Sequence, residues 1–348
     1  MGEKPTLQSL ASSLGVSRQT ISNVLNNPQV VHASTRDRVL AEIRASGYRP
    51  SAAARSLRSR RSEVIGLRIR PAVDGINGSL MDAFLHALVE CSQRRDHRLL
   101  LITATSDEQE TSEQAALHTT GAIDGCVLTD THLDDTRPAE LAATGVPFVA
   151  FGRPWQDRDA GHSWVDIDGA AGTRLATEHL LDLGHRRIAF LGWPTGSGVG
   201  DDRRSGWQRA MADAGVAAED LATGLLDQRT DDGVVEGTQA MERALRAGAT
   251  AAVCASDSLA VGASTVLRRV SSAETARTAV VGFDDTPVAA ALGLSSVRQP
   301  VAAAASRVVD LLIERLTTAN DPPEPVHDLL TPELVLREFD RRLDQHAR

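Results

Sequence analysis

Near the start of the chain, Arg18, Gln19, Ser22 and Asn23 bring a guanidinium, two amides and a hydroxyl to positions i, i+1, i+4 and i+5. On a helix that spacing gathers them on one face. Arginine and the amides carry planar donor and acceptor patterns that match base edges in the major groove, and hydroxyls reach phosphate oxygens. The chemistry on offer is recognition of a nucleic acid; the plainer alternative is a solvated face of a small helical bundle.

The elements that would position these groups can be traced in the surrounding residues. Leu7, Leu10, Ala11 and Leu14 fall at helical spacing, and Gly15 stands at the usual stop position. After the short turn "GVS", Ser17 is a good N-cap for a second helix with Ile21, Val24 and Leu25 facing inward. Pro28 in "NNP" ends that helix, and a third is expected over 33–45, with Val39, Leu40 and Ile43 apolar and Gly47 as terminator. Two short helices across a three-residue turn, closed by a third, describe a helix-turn-helix unit. We assign it to residues 1–50.

Charge separates this region from the rest. Residues 1–62 hold ten basic side chains against three acids, a net of +7; with −9 overall, the remainder carries −16. A basic start on an acidic body suggests a polyanion-binding module joined to a domain with another task. Residues 51–62 overlap the basic, alanine-rich stretch "YRPSAAARSLRSRR" (48–61), where a two-turn helix would be marginal by itself. It reads as a linker or as a hinge that folds with a partner.

From residue 63 the pattern changes to apolar strand candidates, "VIGLRI" (64–69), "HRLLLITA" (97–104), "GCVL" (125–128), "VPFVAF" (146–151), "RIAFLG" (187–192), "AAVCA" (251–255) and "AVVGF" (279–283). Between them lie helical stretches such as 80–93, 169–183, 204–214, 232–247, 258–269 and 301–316. This alternation predicts an α/β fold of doubly wound parallel sheets over 63–348, divided into two lobes with a ligand cleft at the carboxyl ends of the strands. The three cysteines, Cys91, Cys126 and Cys254, show no metal-ligand spacing and read as buried, reduced thiols. The first residues lack the apolar run of a signal peptide, and no run of about 18 apolar residues could span a membrane. A cytoplasmic location with no membrane partner is expected.

The runs "TLQSLASSLGVSRQTISNVLNN", "TRDRVLAEIRASGYRPSAAARSL" and "IGL" closely resemble the headpiece of the LacI/GalR transcriptional repressors. "ATEHLLDLGHRRIAFLG" and "VVGFDDTPVA" resemble the effector-binding core that this family shares with periplasmic sugar-binding proteins, so the resemblance covers nearly the whole chain. It implies a DNA-binding regulator, a repressor, that binds double-stranded operator DNA as a homodimer and is released by a small-molecule effector, a sugar or oligosaccharide. By this resemblance Arg18, Gln19 and Asn23 read bases, and Thr6, Thr20, Ser22, Asn26 and Tyr48 hold phosphates. The stretch 51–62 becomes a hinge helix whose Leu57 wedges into the minor groove, beside Ala54, Arg55 and Arg58. The resemblance also implies three passages between the lobes, placed near 151–163, 283–295 and 326–333.

For the effector the resemblance points to Arg203 and Asp284, an acid and a guanidinium that together suit a polyhydroxylated ligand. Ser256 stands where many relatives carry asparagine. Gly152 stands where the family has an aspartate, so Arg153 or Trp155 is expected to take over part of its role. Trp155 suits stacking on a sugar face or packing between lobes, and Asn77 lies in a loop expected to shape the cleft. No phosphate loop, G-x-S-x-G, H-E-x-x-H or C-x-x-C occurs in the sequence. We therefore expect no enzyme activity, cofactor or metal. The rival reading is a solute-binding protein of a sugar uptake system. The tail, with only Leu343 in its last eight residues, carries no leucine heptad and favours a dimer.

Overall fold

The computed structural model describes residues 5–48, 61–71, 75–76, 78–157, 160–216, 225–269, 278–318 and 323–337. The chain divides into two compact units, residues 1–62 and 63–348. In the first, α1 (Leu7–Leu14), α2 (Arg18–Asn26) and α3 (Ala33–Ser46) enclose Leu10, Ala11, Ile21, Val24, Val39 and Tyr48. Capping fixes the helix ends. Thr6 and Ser9 form a reciprocal capping box on α1, Gly15 closes it at φ 64°, and Ser17 Oγ accepts from the Thr20 amide at 3.0 Å to start α2. Arg38 reaches from α3 to the Leu14 carbonyl at 3.1 Å, so the turn between the first two helices is braced by the third.

The second unit contains two six-stranded sheets. In the first, β1 (Val64–Ile69), β2 (Arg98–Thr103), β3 (Gly125–Leu128), β4 (Phe148–Phe151), β5 (Trp164–Ile167) and β11 (His327–Leu330) are all parallel, in the order 2-1-3-4-5-11. The second holds β6 (Ile188–Gly192), β7 (Asp227–Arg229), β8 (Ala251–Cys254), β9 (Ala279–Phe283), β10 (Ser295–Arg298) and β12 (Glu333–Val335), in the order 7-6-8-9-10-12. Only β12 there runs antiparallel. The central strands β3, β6, β8 and β9 are buried along their whole length, as strands covered on both faces must be. Both sheets therefore share one winding order, which reverses between β1 and β3 and between β6 and β8. At such a reversal the following loops part to opposite faces and leave a crevice at the carboxyl ends.

The helices of the first lobe are α4 (Gly78–Gln93), α5 (Asp107–Thr119) and α6 (Arg137–Ala143), with α12 (Val301–Thr317) packed across β3, β4 and β5. The second lobe carries α7 (Gly169–Asp182), α8 (Gly198–Asp213), α9 (Val234–Arg246), α10 (Asp257–Arg269) and α11 (Pro287–Ala291). Gly206 of α8 lies so close to α7 that a Cβ there would stand 2.0 Å from the Ala170 carbonyl oxygen. This tight approach sets the position of Arg203, one turn earlier on α8.

Two interlobe passages fall later than the sequence suggests. β5 still pairs within the first sheet, so the first passage lies at Asp168, and not within 151–163. β10 still pairs with β9, so the second lies at Gln299–Pro300, and not within 283–295. The third, between β11 and β12, falls within the expected 326–333. Both late strands are only four residues long, and β10 is polar. β10 buries Ser295 and Ser296 because each hydroxyl has a partner: Ser296 donates to Asp257 at 2.6 Å, and Ser295 accepts from the Arg337 amide at 2.9 Å. All three cysteines are buried in the core, and Trp207 is fully buried with its indole donating to the Ile188 carbonyl.

Candidate functional site

In the first unit, Arg18 and Gln19 are exposed on α2, while Thr20, Ser22 and Asn23 are half-buried. Gln19 Nε2 donates to Asn23 Oδ1 at 2.9 Å, which holds the two amides side by side with one donor and one acceptor edge still available. Thr20 Oγ1 lies 2.9 Å from the Ser17 hydroxyl, and Thr6 Oγ1 caps α1. Tyr48 is built into the small core, where burial pushes its hydroxyl pKa upward. Val30, in the turn after α2, is 66% exposed. The Asn26 side chain and Ala54, Arg55, Leu57 and Arg58 lie outside the described residues.

In the second unit, Arg203 and Asp284 meet. Their charged groups are 3.8 Å apart, with side chains only 7% and 6% exposed. The Arg203 guanidinium lies 3.7 Å from the centre of the Phe283 ring and 5.3 Å from that of Trp193, and Nη1 donates to the Ala255 carbonyl. Among the described residues its Nε has no hydrogen-bond partner, an orphan of a kind rare in folded proteins and costly to keep. Asp284 follows β9 at φ 110°, an unfavourable backbone for a residue with a Cβ, and accepts from Gln299 Nε2 at 2.6 Å. Burial dominates both partners: it raises Asp284 to about 7, against the pull of Arg203, and lowers Arg203. Ser256, fully buried just after β8, donates to Asp232 at 2.5 Å and caps α10 through the Leu259 amide.

Arg153 and Trp155 sit between the lobes with their polar atoms engaged. Arg153 Nε pairs with Asp166 at 2.5 Å, and Nη2 reaches the Ile167 carbonyl at 3.2 Å and Asp202 at 3.3 Å. Trp155 donates to the Thr131 carbonyl at 3.2 Å, and its ring packs on Gly198 so closely that a Cβ there would stand 2.3 Å from it. Gly152 has φ 118°, and a Cβ would lie 2.4 Å from Thr131 Oγ1, so this backbone leaves no room for an aspartate. Asn77 lies outside the described residues.

The open space of the cleft is a cavity of about 440 Å³ lined by Arg70, Asp107, Asp130, Thr131 and His132 from the first lobe. Trp193 and residues 196–199 from the second lobe complete its walls. Arg70 follows β1, Asp130 follows β3 and Trp193 follows β6, which is where the reversed winding places a crevice. Arg70 Nη1 binds Asp130 at 2.6 Å, and His132 Nε2 lies 3.0 Å from Asp107. Behind this wall, Glu110 Oε2 accepts from Arg68 at 2.7 Å and from Arg137 at 2.8 Å; Arg137 also chelates Asp135. Burial would raise Asp107, but Arg137, Arg68 and His132 outweigh it and hold its carboxyl below the usual range. Asp107, His132 and Asp135 bring three potential metal ligands within 4.8 Å of one another. Arg68, Arg70 and Arg137 already neutralise those carboxylates, and their charge opposes a further cation.

The sequence reading missed the first-lobe wall and Trp193. Arg70 and Asp130–His132 have no motif. Their signal is positional: each directly follows a strand that flanks a reversal of winding order, and that order requires the fold.

Comparison with known proteins agrees with this architecture. Residues 6–51 match the model of bacterial regulatory proteins, lacI family, and residues 177–338 match the periplasmic binding protein-like domain. The chain is 33% identical to the HTH-type transcriptional regulator CelR of Thermobifida fusca over 343 residues, covering 96% of this chain and 98% of that protein. A solved structure of a transcriptional regulator CelR–cellobiose complex matches with TM-score 0.70 and 30% identity, covering 96% of this chain and 99% of that one. The lac repressor dimer bound to operator and the anti-inducer ONPF shares the fold at TM-score 0.78 and 24% identity, covering 97% and 99%.

Proposed function

The chain belongs to the lacI family of bacterial regulatory proteins, and from that premise we propose that it is a cytoplasmic homodimeric repressor released from its operator by a saccharide. It is a transcriptional regulator of LacI type, with a helix-turn-helix unit and a two-lobed periplasmic-binding-protein-like core. Among the described residues no helix is long and apolar enough to cross a membrane. In our reading Arg18, Gln19 and Asn23 contact base edges, and Thr6, Thr20, Ser22, Asn26 and Tyr48 contact or support contacts to phosphates. Leu57, with Ala54, Arg55 and Arg58, enters the minor groove at the operator centre. No catalytic step and no cofactor belong to this reading.

The observation that carries the saccharide assignment is the orphaned Arg203 Nε beside Asp284, at the crevice of the second sheet. A ligand hydroxyl would satisfy that N–H and donate to the carboxylate, relieving two buried groups at once. Arg153, Trp155 and Ser256 act around the ligand by holding the cleft. The likeness to a cellobiose complex supports the same class. A ligand that prefers one lobe arrangement shifts operator affinity through a coupling of about 1–3 kcal/mol. Gel retardation on palindromic DNA upstream of the gene tests the reading: it should show a shift that cellobiose or another saccharide releases. Absence of any shift with the unliganded protein at low salt would refute the repressor, and a shift indifferent to every saccharide would refute the effector class.

A further inference from the structure

Resting on the reading of a saccharide that acts through lobe arrangement, we propose that Arg153 and Trp155 form a latch between the lobes, fastened on α8. The latch is closed in only one of the two arrangements and so sets the balance between operator binding and release. The segment that carries it follows β4 and is tied to the first lobe. Thr131 Oγ1 donates to the Arg153 carbonyl at 3.0 Å, the Trp155 indole donates to the Thr131 carbonyl at 3.2 Å, and Gln156 Nε2 donates to Asp134 at 2.7 Å. Pro154 fixes the backbone between the two side chains.

Both side chains reach the second lobe on one helix face. Arg153 Nη2 meets Asp202 at 3.3 Å, and the Trp155 ring lies against Gly198, where a Cβ would stand 2.3 Å from it. Gly198 and Asp202 are four residues apart on α8, hence neighbours on its surface. The Arg153 guanidinium lies 4.9 Å from the centre of the Trp155 ring, so the two side chains approach the helix together.

The helix they grip is the one that carries Arg203, and Asp202 directly precedes it. The close approach of Gly206 to the Ala170 carbonyl leaves α8 no slack against α7, so α8 moves with its lobe as one body. A rotation of one lobe on the other is therefore not absorbed inside the second lobe. It falls on the contacts of Arg153 and Trp155.

These contacts are also built to open. A buried ion pair is costly to break when one charge is left alone, and here neither is. Asp202 Oδ2 keeps the Ala170 amide at 2.9 Å, and Arg153 keeps Asp166 at 2.5 Å and the Ile167 carbonyl at 3.2 Å. The two side chains are 19% and 16% exposed, so water reaches the charges as they part. Burial outweighs the pull of Arg153 and holds the Asp202 carboxyl above its usual range, as in a pair that is only loosely stabilised.

The test uses the full chain, with operator affinity measured by gel retardation and saccharide affinity by calorimetry. The probe is whichever of cellobiose, maltose and melibiose releases the parent from DNA. One variant is Trp155→Cys with Gly198→Cys. A Cβ on Gly198 stands 2.3 Å from Trp155 Cγ, hence within about 3.8 Å of Trp155 Cβ, a distance a disulfide spans. The three native cysteines are buried and do not compete. Oxidised glutathione should close the bond in the unliganded chain. The locked form should then change its operator affinity less than about twofold on adding the sugar, and the reduced form about fivefold or more. The second variant, Asp202→Asn, keeps an acceptor for the Ala170 amide and loses the ion pair. It should move operator and saccharide affinity in opposite directions, by about threefold in the larger. Failure of the disulfide to form, or a locked form as responsive as the reduced one, would overturn the latch. So would an Asp202→Asn chain that loses saccharide affinity with operator affinity unchanged, the mark of a local ligand contact. If the parent binds operator DNA but responds to none of the three sugars, the effector reading falls and the latch with it; a responsive parent with a responsive locked form sinks the latch alone.

Discussion

Glu110→Gln should be among the most damaging single substitutions in the first lobe. Glu110 is 1% exposed, and one of its oxygens receives Arg68 at 2.7 Å and Arg137 at 2.8 Å. Removing its charge leaves two guanidiniums, 7% and 0% exposed, without the carboxylate between them. Breaking a buried ion pair from one side costs about 3–5 kcal/mol, because the remaining charge stays desolvated. Here Asp107 and Asp135 still hold part of the arginine charge, which argues for the lower half of that range. For a domain of this size, about 2–4 °C of melting temperature is lost per kcal/mol, so the drop should be roughly 6–15 °C. Thermal unfolding followed by near-ultraviolet circular dichroism measures it. A cycle with Arg137→Met should show coupling of at least about 1 kcal/mol, since with Arg137 gone only Arg68 is left facing the lost charge. A loss below about 1 kcal/mol for Glu110→Gln, or additive losses in the double variant, would show that the network is not electrostatically linked as drawn.

Three further outcomes follow from the same geometry. Gly152→Asp should destabilise the core by about 1–3 kcal/mol, from its φ of 118° and the clash with Thr131, and should not tighten any saccharide; chemical denaturation and titration check both parts. Asp284, raised to about 7 by burial, favours its protonated form in the fold, so its contribution to stability is full below pH about 4 and is lost as pH rises through 7. Stability measured from pH 4 to 8 should fall across that window in the parent and fall less in Asp284→Asn; an identical slope in both would contradict the shift. Leu57→Ala should cost specific operator affinity while leaving non-specific DNA binding nearly unchanged, by retardation with and without competitor, whereas a plain linker would show no loss.

The amino-acid sequence by itself determined the helix-turn-helix unit, because caps, turn length and apolar spacing act within a few residues of one another. Thr6, Gly15 and Ser17 define helix ends locally, so α1 and α2 are legible without the fold. The central strands were equally plain, since a strand buried on both faces reads as one apolar run. The resemblance to a family brought Arg203 and Asp284 into view, 81 positions apart in the chain, and the structure places their charges 3.8 Å apart. What tertiary structure alone decided lies where polarity is satisfied at long range. β10 is a strand only because distant Asp257 and Arg337 partner its serines. Arg153 and Trp155 are held by Asp166, Asp202, Thr131 and Gly198, contacts that no local pattern announces. The first-lobe wall is a site only because winding order places the ends of β1, β3 and β6 around one cavity. Caps and periodicity are short-range interactions encoded in neighbouring residues, whereas a cleft is assembled from strand ends that only the packing of whole sheets brings together.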